Sequence, residues 1–286
     1  MPSLIDIRRR IRSVKNTQQI TKAMKMVSAA KLRRAQDRVI AARPYVALLR
    51  QVLANVATAV AGDETAGQNP LLANRPEERI LLVLITADKG LAGAFNTNLI
   101  KGAQRFMAEH EGASVSLELI GRKGRDFYRK RNAKVTGEHV GMGAKAVRED
   151  AEAIAQKAIE MFSGGEIDSV YLLYNEFKSV MAQKLTVTRV LPVPVPQGGE
   201  AVDYIFEQPA GAMMGDLLPR YVTMEFYRAL LESTAAEHAA RMTAMESATS
   251  NAAEMIDKLT LYMNRVRQAS ITKEIIEVVS GASSAE

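Results

Sequence analysis

His110, His139 and His238 are the three histidines of this chain, and none has a carboxylate at metal-ligand spacing or belongs to a nucleophile–histidine–acid set. There is no Cys, which removes disulfides, thiolate metal sites and cysteine nucleophiles. Glu149, Asp150 and Glu152 stand at the head of a helix, where acids favour the positive end of the helix dipole. That accounts for them better than acid–base chemistry does. Two glycine turns have the composition of phosphate cradles. In the first, Gly90 and Gly93 follow the strand LLVLIT but do not make GxGxxG, and GxxxxGK[ST] occurs nowhere in the chain. It reads as a tight turn packing a helix on a sheet. The second, Gly121-Arg122-Lys123-Gly124-Arg125, reads as a solvated basic loop. These residues predict no catalytic site, no cofactor and no metal.

The elements around these turns alternate. Arg79–Thr86 (RILLVLIT) reads as a fully buried strand, with a helix from Asn96 to His110 after the turn. Val115–Ile120 is a second strand, followed by a short basic helix through Arg131, a brief strand over Lys134–His139 and an amphipathic helix over Ala144–Phe162. Ser169–Tyr174 is another strand, with Lys184–Val190 as its hairpin partner. Such alternation implies a mainly parallel sheet flanked by helices.

The two ends of the chain have another period. Ile7, Ile11, Val14, Gln18, Thr21, Lys25, Ser28, Leu32, Ala35 and Val39 follow steps of three and four. So do Met245, Ala248, Ala252, Met255, Leu259, Tyr262, Val266, Ala269, Lys273 and Ile276. This spacing defines a coiled-coil seam. The N-terminal helix is expected from Ser3, with Asp6 completing a capping box, to about Ala59, kinked or interrupted at Pro44. The C-terminal helix is expected from an Asp216 N-cap, with Pro219 in its first turn, to a Gly281 C-cap. At ~1.5 Å per residue, ~55–60 residues make a helix of ~80–90 Å, too long for a small domain to cover. The two stripes therefore pair antiparallel. Gly62–Pro76 reads as a linker, and the Pro- and Gly-rich Leu191–Gly211 as the exit from the middle domain. The segments are 1–60, an N-terminal coiled-coil helix; 61–78, a linker; 79–210, an α/β domain; and 211–286, the C-terminal coiled-coil helix.

Charge is concentrated in the first helix. From Met1 to Ala57 thirteen Lys and Arg face two acids, Asp6 and Asp37, a local +11 that leaves −5 for the remainder of a chain with net +6. Such a helix suits a phosphate backbone, an anionic membrane or an acidic protein surface. No run approaches the ~18–20 apolar residues that cross a bilayer. Part of the first seam is polar: Gln18, Thr21, Lys25 and Ser28 stand where a stable zipper has Leu or Ile, while Ile20, Met24 and Val27 form an apolar strip displaced around the helix. The expectation is that the buried side shifts there, turning polar and small residues outward. Met242, Met245, Met255 and Met263 add yielding side chains to the C-terminal helix.

Ile20-Thr21-Lys22-Ala23-Met24-Lys25-Met26-Val27-Ser28-Ala29-Ala30-Lys31-Leu32 resembles the N-terminal helix of the γ-subunit family of rotary F-type ATP synthases. Asp88-Lys89-Gly90-Leu91-Ala92-Gly93-Ala94-Phe95-Asn96 looks like that family's turn. Asn264-Arg265-Val266-Arg267-Gln268-Ala269-Ser270-Ile271-Thr272-Lys273-Glu274-Ile275-Ile276-Glu277, through Ser280-Gly281-Ala282, is similar to its C-terminal signature. The resemblance covers the whole chain in order. It implies an α+β protein overall: a long antiparallel coiled coil of the terminal helices beside a Rossmann-like α/β domain. The implied role is the central stalk, a rotor with no catalytic site of its own, coupling rotation of the membrane c-ring to the catalytic β subunits. The implied partners are the α and β subunits of the hexamer, the ε subunit and the c-ring, with no nucleic acid and no transmembrane segment. By motif match, Arg267 and Gln268 carry over as polar contacts to a β loop, with Met24 near the same region and Arg241 as a β-facing charge. Ile275, Ile276 and Val279 carry over to an apolar sleeve around the tip. The family commonly has Cys where this chain has Ala92, so the turn does not require that thiol. A start at Met1 without a presequence leads to an expected location on the cytoplasmic face of a bacterial inner membrane rather than in a mitochondrial matrix. The rival readings are a coiled-coil adaptor or nucleic-acid binder using the basic helix, and a nucleotide-binding enzyme built on the middle domain.

Overall fold

The structure, a computed structural model, describes residues 3–59, 69–131, 133–142, 148–194 and 210–283. It divides into two compact units, Met1–Ser28 with Met242–Glu286, and Ala29–Arg241. Helices α1 (Leu4–Ala59) and α5 (Ala210–Ser283) each contribute residues to both.

The larger unit is built on a five-stranded sheet of order β3-β2-β1-β4-β5. Strand β1 (Arg79–Ile85) lies at its centre, parallel to β2 (Ser114–Ile120) and β4 (Ser169–Phe177); β3 (Val135–His139) extends the parallel part, and β5 (Gln183–Leu191) pairs antiparallel with β4. Every β1 residue after Arg79 is buried, as a strand covered on both faces requires. Helix α2 (Phe95–Glu109) packs on β1, β4 and β5, α3 (Arg122–Tyr128) on β2 and β3, and α4 (Arg148–Ser163) on β4. The sequence expectation for these elements is met to within a few residues. The predicted stretch 144–147 lies outside the described residues, as do most of the linker, 60–68, and of the domain exit, 195–209. The described end of the linker forms a 3₁₀ turn, Pro70–Leu72, started by Asn69 Oδ1 accepting from Leu71 N–H.

In this unit α5 is covered nearly all round. Val222, Phe226, Ala229, Leu230, Ala235, Ala236 and Ala239 are buried, and so are the intervening Glu225, Glu232 and Ser233. A helix enclosed in this way has no solvent stripe. The α1 residues Leu32, Ala35, Val39, Val46, Leu49 and Leu53 supply one apolar side of the same core.

Three expectations about helix ends are corrected. Helix α1 runs through Pro44, which overturns the interruption but not the kink, the one missing donor being outweighed by Val39, Val46 and Leu49 buried on either side. Helix α5 begins at Ala210, so Asp216 is an interior, exposed residue instead of the N-cap. A cap contributes ~1 kcal/mol, whereas burying Met214 in the added turn gains ~1.5–3 kcal/mol. At the other end the helix passes Gly281 and stops at Ser283.

The smaller unit is an antiparallel helix pair. Thr21 meets Thr249 and Lys25 meets Glu246, so the partner number falls as the α1 number rises. Of the first predicted seam, every residue from Ile7 to Ser28 is buried or half-buried. The second seam is corrected at five positions: Ala269, Lys273 and Ile276 are exposed because they lie past the end of the pairing, and Met255 and Tyr262 are exposed, with Ile256 and Met263 covered instead. Both choices are apolar and both fit a seven-residue repeat. The α1 side chains facing Thr249 decide between them, and periodicity carries no information about those.

Candidate partner-binding surface

The polar seam residues face inward. Thr21 is 8% exposed and Ser28 3%, whereas Ile20 is 60% and Val27 56% exposed. This reverses the expectation that polar groups turn outward there, and the reason is pairing. Thr21 and Thr249 hydroxyl oxygens lie 2.7 Å apart, and each is also within reach of a carbonyl one turn back, Gln18 and Met245. With one proton per hydroxyl, one threonine donates to the other and the second donates to its own helix. Lys25 Nζ meets Glu246 at 2.6 Å, an exposed pair worth less than about 1 kcal/mol. The small residues Thr249, Ser250 and Ala253 leave a cleft of about 490 Å³ beside this seam, lined also by Gln18, Gln19, Lys22 and Lys25. The outer surface of α1 is left with the apolar strip Ile20, Met26 and Val27, and with exposed cations from Arg8 to Lys22. Met24 is half-buried between the two faces.

The register also sets where pairing stops. Counting back from Thr21 to Leu4 advances α5 from Thr249 to about Val266. Beyond it every residue from Ile271 to Ser280 is exposed. These unpartnered turns carry Ile271, Ile275, Ile276, Val278 and Val279. Arg267 and Gln268 are exposed at the start of this segment; Arg267 makes no ion pair among the described residues, and the Gln268 carbonyl accepts from Thr272. Contiguous exposed isoleucine and valine on a single helix mark a surface that a partner covers.

Arg241 is elsewhere. It belongs to the larger unit and is 8% exposed. Its guanidinium donates to Glu237 at 2.6 Å and to the Lys89 and Gly90 carbonyls at 3.3 Å, so it holds the turn after β1 against α5. The expected β-facing charge is therefore turned inward, satisfied by its own chain. Burial, with Arg241 and Lys31 nearby, pushes the pKa of His238 down to about 4, leaving its ring neutral at pH 7. The 3.4 Å approach of Arg241 Nη1 to His238 Nδ1 is then a donation to the ring, whose proton sits on Nε2. Burial also raises Glu237, against the pull of Arg241. In the same turn Leu91 has φ 61° and is exposed, a conformation that side chains other than glycine rarely adopt.

The crest of the sheet is also occupied by the chain. Asp88 accepts from the backbone N–H of Arg122 and Gly141, and Thr86 Oγ1 accepts from Gly124 N–H. Gly121 is required here: a Cβ would run into the Thr86 carbonyl, and φ is 93°. A mononucleotide-binding fold offers such amides to phosphate; here a carboxylate and a hydroxyl take them. Among the described residues no group of three or more His, Asp or Glu could hold a metal ion, and no helix is long and apolar enough to cross a membrane.

Sequence reasoning missed the buried acids. Glu225 and Glu232 lie seven residues apart on α5, Arg43 and Arg50 seven apart on α1, and they pair crosswise: Arg43 with Glu232, Arg50 with Glu225. Matching seven-residue spacings of opposite charge were the available signal. On β2, Glu118 is likewise buried and accepts from His139 at 2.6 Å and Lys157 at 2.9 Å.

A family model described as ATP synthase matches residues 3–285. An ATP synthase gamma chain of Solibacter usitatus (strain Ellin6076) is 74% identical over 286 residues, all of both chains. That of Pelotomaculum thermopropionicum is 51% identical over 289 residues, again with full coverage of both. Among solved structures, the chain is similar to one in the central stalk and c-ring of the Tetrahymena thermophila mitochondrial ATP synthase, at 26% identity and TM-score 0.61, covering 80% of this chain and 99% of that one. A chain of the Euglena gracilis mitochondrial enzyme shares the fold at 19% identity and TM-score 0.66, over 98% and 94% of the two chains.

Proposed function

The chain belongs to the ATP synthase gamma-chain family, and we propose that it is the rotor of a proton-translocating ATP synthase, turning with a membrane c-ring and driving the catalytic β subunits through their states. It is a non-catalytic subunit. Its partners are the α and β subunits of the hexamer, the ε subunit and the c-ring, and it works peripherally at the cytoplasmic face of the membrane. The observation that carries this reading is the full-length match to gamma chains on a chain whose α5 ends in an unpartnered apolar tip.

The physics is that of differential contact. A ring of identical catalytic subunits takes different states only if the central element presents different surfaces to each. The helix pair offers distinct surfaces: the strip Ile20, Met26 and Val27, the exposed cations of α1, and the Arg267–Gln268 pair. We assign Arg267, Gln268 and Met24 to contact with β, and Ile275, Ile276 and Val279 to an apolar sleeve. Arg241 is removed from that set and becomes a positioning residue for the turn at Lys89–Gly90.

The test is purification of the native complex with subunit stoichiometry. One copy of this chain per three α and three β is expected; a stable free homodimer, with active hexamers lacking the chain, would overturn the reading. Replacing Arg267 and Gln268 by Ala should lower ATPase turnover of the assembled complex with the chain still folded. Normal turnover would remove those two residues from the contact.

A further inference from the structure

Glu225 and Glu232 are each 1% exposed, on a helix most of whose other buried positions are apolar. An apolar residue of similar volume at such a site is often as stabilising as a buried ion pair, or more so. Stability alone therefore does not explain two carboxylates here. Their bonds do something an apolar contact cannot.

Glu232 joins three elements at one point. It accepts from Arg43 Nε and Nη2 of α1 at 3.2 and 3.0 Å, and its other oxygen accepts from the Phe177 backbone N–H of β4 at 3.0 Å. Arg43 Nη2 in turn donates to the Phe177 carbonyl at 3.0 Å. The last residue of β4 is thus held by both backbone groups. Seven residues away, Glu225 accepts from Arg50 of α1 and from Arg228 of α5, each through Nε and Nη2. The Arg228 guanidinium lies 5.8 Å from the centre of the Tyr174 ring, also on β4. At two levels, then, α1 and α5 are cross-linked by charged, directional bonds, and the sheet is tied in by hydrogen bonds at Phe177 and a cation–π contact at Tyr174.

Apolar surfaces resist separation but constrain sliding and twisting only through side-chain shape. Paired guanidinium–carboxylate bonds with fixed geometry resist both. We propose that Glu232 with Arg43, and Glu225 with Arg50 and Arg228, form a torque-bearing joint within the larger unit, between its segments of α1 and α5 and its sheet. This rests on the rotor reading, since a chain that carries no torque needs no such joint. The five residues are positioning residues, and they touch no reacting group.

The test uses the assembled complex, fixed through its hexamer, with a bead on a single cysteine introduced at exposed Glu111; the chain has no other Cys. Angular fluctuation of the bead during catalytic pauses reports torsional stiffness. Glu232→Leu, which keeps the volume and removes the bonds, leaves one of two joints and should raise the angular variance about two-fold in complexes of wild-type stoichiometry, with a separate loss of thermal stability from the unpaired Phe177 N–H. Glu232→Gln, which retains an acceptor for Phe177, should fall between the two. A folded, assembled Glu232→Leu complex with wild-type variance would overturn the joint. If Glu232→Leu fails to assemble, Arg43→Gln, which removes the guanidinium but keeps an amide donor for Glu232 and spares the acid's contact with Phe177, is measured in its place with the same two outcomes. A wild-type bead that never rotates on ATP addition would instead overturn the rotor reading.

Discussion

The neutral ring of His238, beside Arg241, gives the molecule a defined response to acid. Its folded pKa, about 4, lies below the ordinary 6.5. As pH falls through 6.5 the unfolded chain takes up this proton first, so stability is lost down to about pH 4 and no further. The group accounts for at most about 3 kcal/mol of that loss. Chemical denaturation at a series of pH values should show a slope in this window that His238→Asn flattens, because the Asn amide oxygen still accepts from Arg241 but does not titrate. A second residue-scale expectation concerns the seam hydroxyls. Thr21→Val alone leaves Thr249 to satisfy its proton on Met245 and should cost about 1 kcal/mol in thermal unfolding. Thr21→Val with Thr249→Val should cost less than the sum of the two singles. Residue roles were the least legible level of the sequence. Arg241 matched a motif, yet a motif does not say whether a guanidinium points at a partner or at its own chain's carbonyls.

Elements were read more surely, for reasons visible in their side chains. RILLVLIT can be little but a central strand, since six consecutive apolar residues need cover on both faces. The α1 seam from Ile7 to Val39 was placed correctly because its apolar anchors Ile7, Leu32 and Val39 share one face. The α5 seam had apolar candidates on adjacent positions, so Met255 and Ile256 could be told apart only by the partner surface. Helix ends failed where packing outweighed a cap, at Asp216, and where a helix simply continued, at Gly281. The exposed tip gives the element-scale prediction. Deleting residues after Ser270 removes no buried side chain among the described residues, so circular dichroism melting of the free chain should be unchanged while its affinity for the hexamer falls. A lowered melting temperature would mean that the tip packs on its own chain.

At the scale of the whole molecule, charge is the property to test. Arg8, Arg9, Arg10, Arg12 and Lys15 are all exposed on α1, so association with an acidic partner should slow as ionic strength rises. Reconstitution rates with the hexamer, followed by recovery of ATPase activity, should fall with added salt, and salt-independent rates would remove electrostatic steering from the account. The threonine-lined seam has its own consequence. Hydroxyls and an exposed Lys–Glu pair bond to water nearly as well as to each other, and most apolar seam residues here are only half-buried, so separating these helices forfeits less than separating β1 from its neighbours, which exposes six buried side chains. Backbone amides of the helix pair should therefore exchange with deuterium well before those of β1 in the free subunit. Their protection should rise on assembly: the bearing tightens the axle it holds.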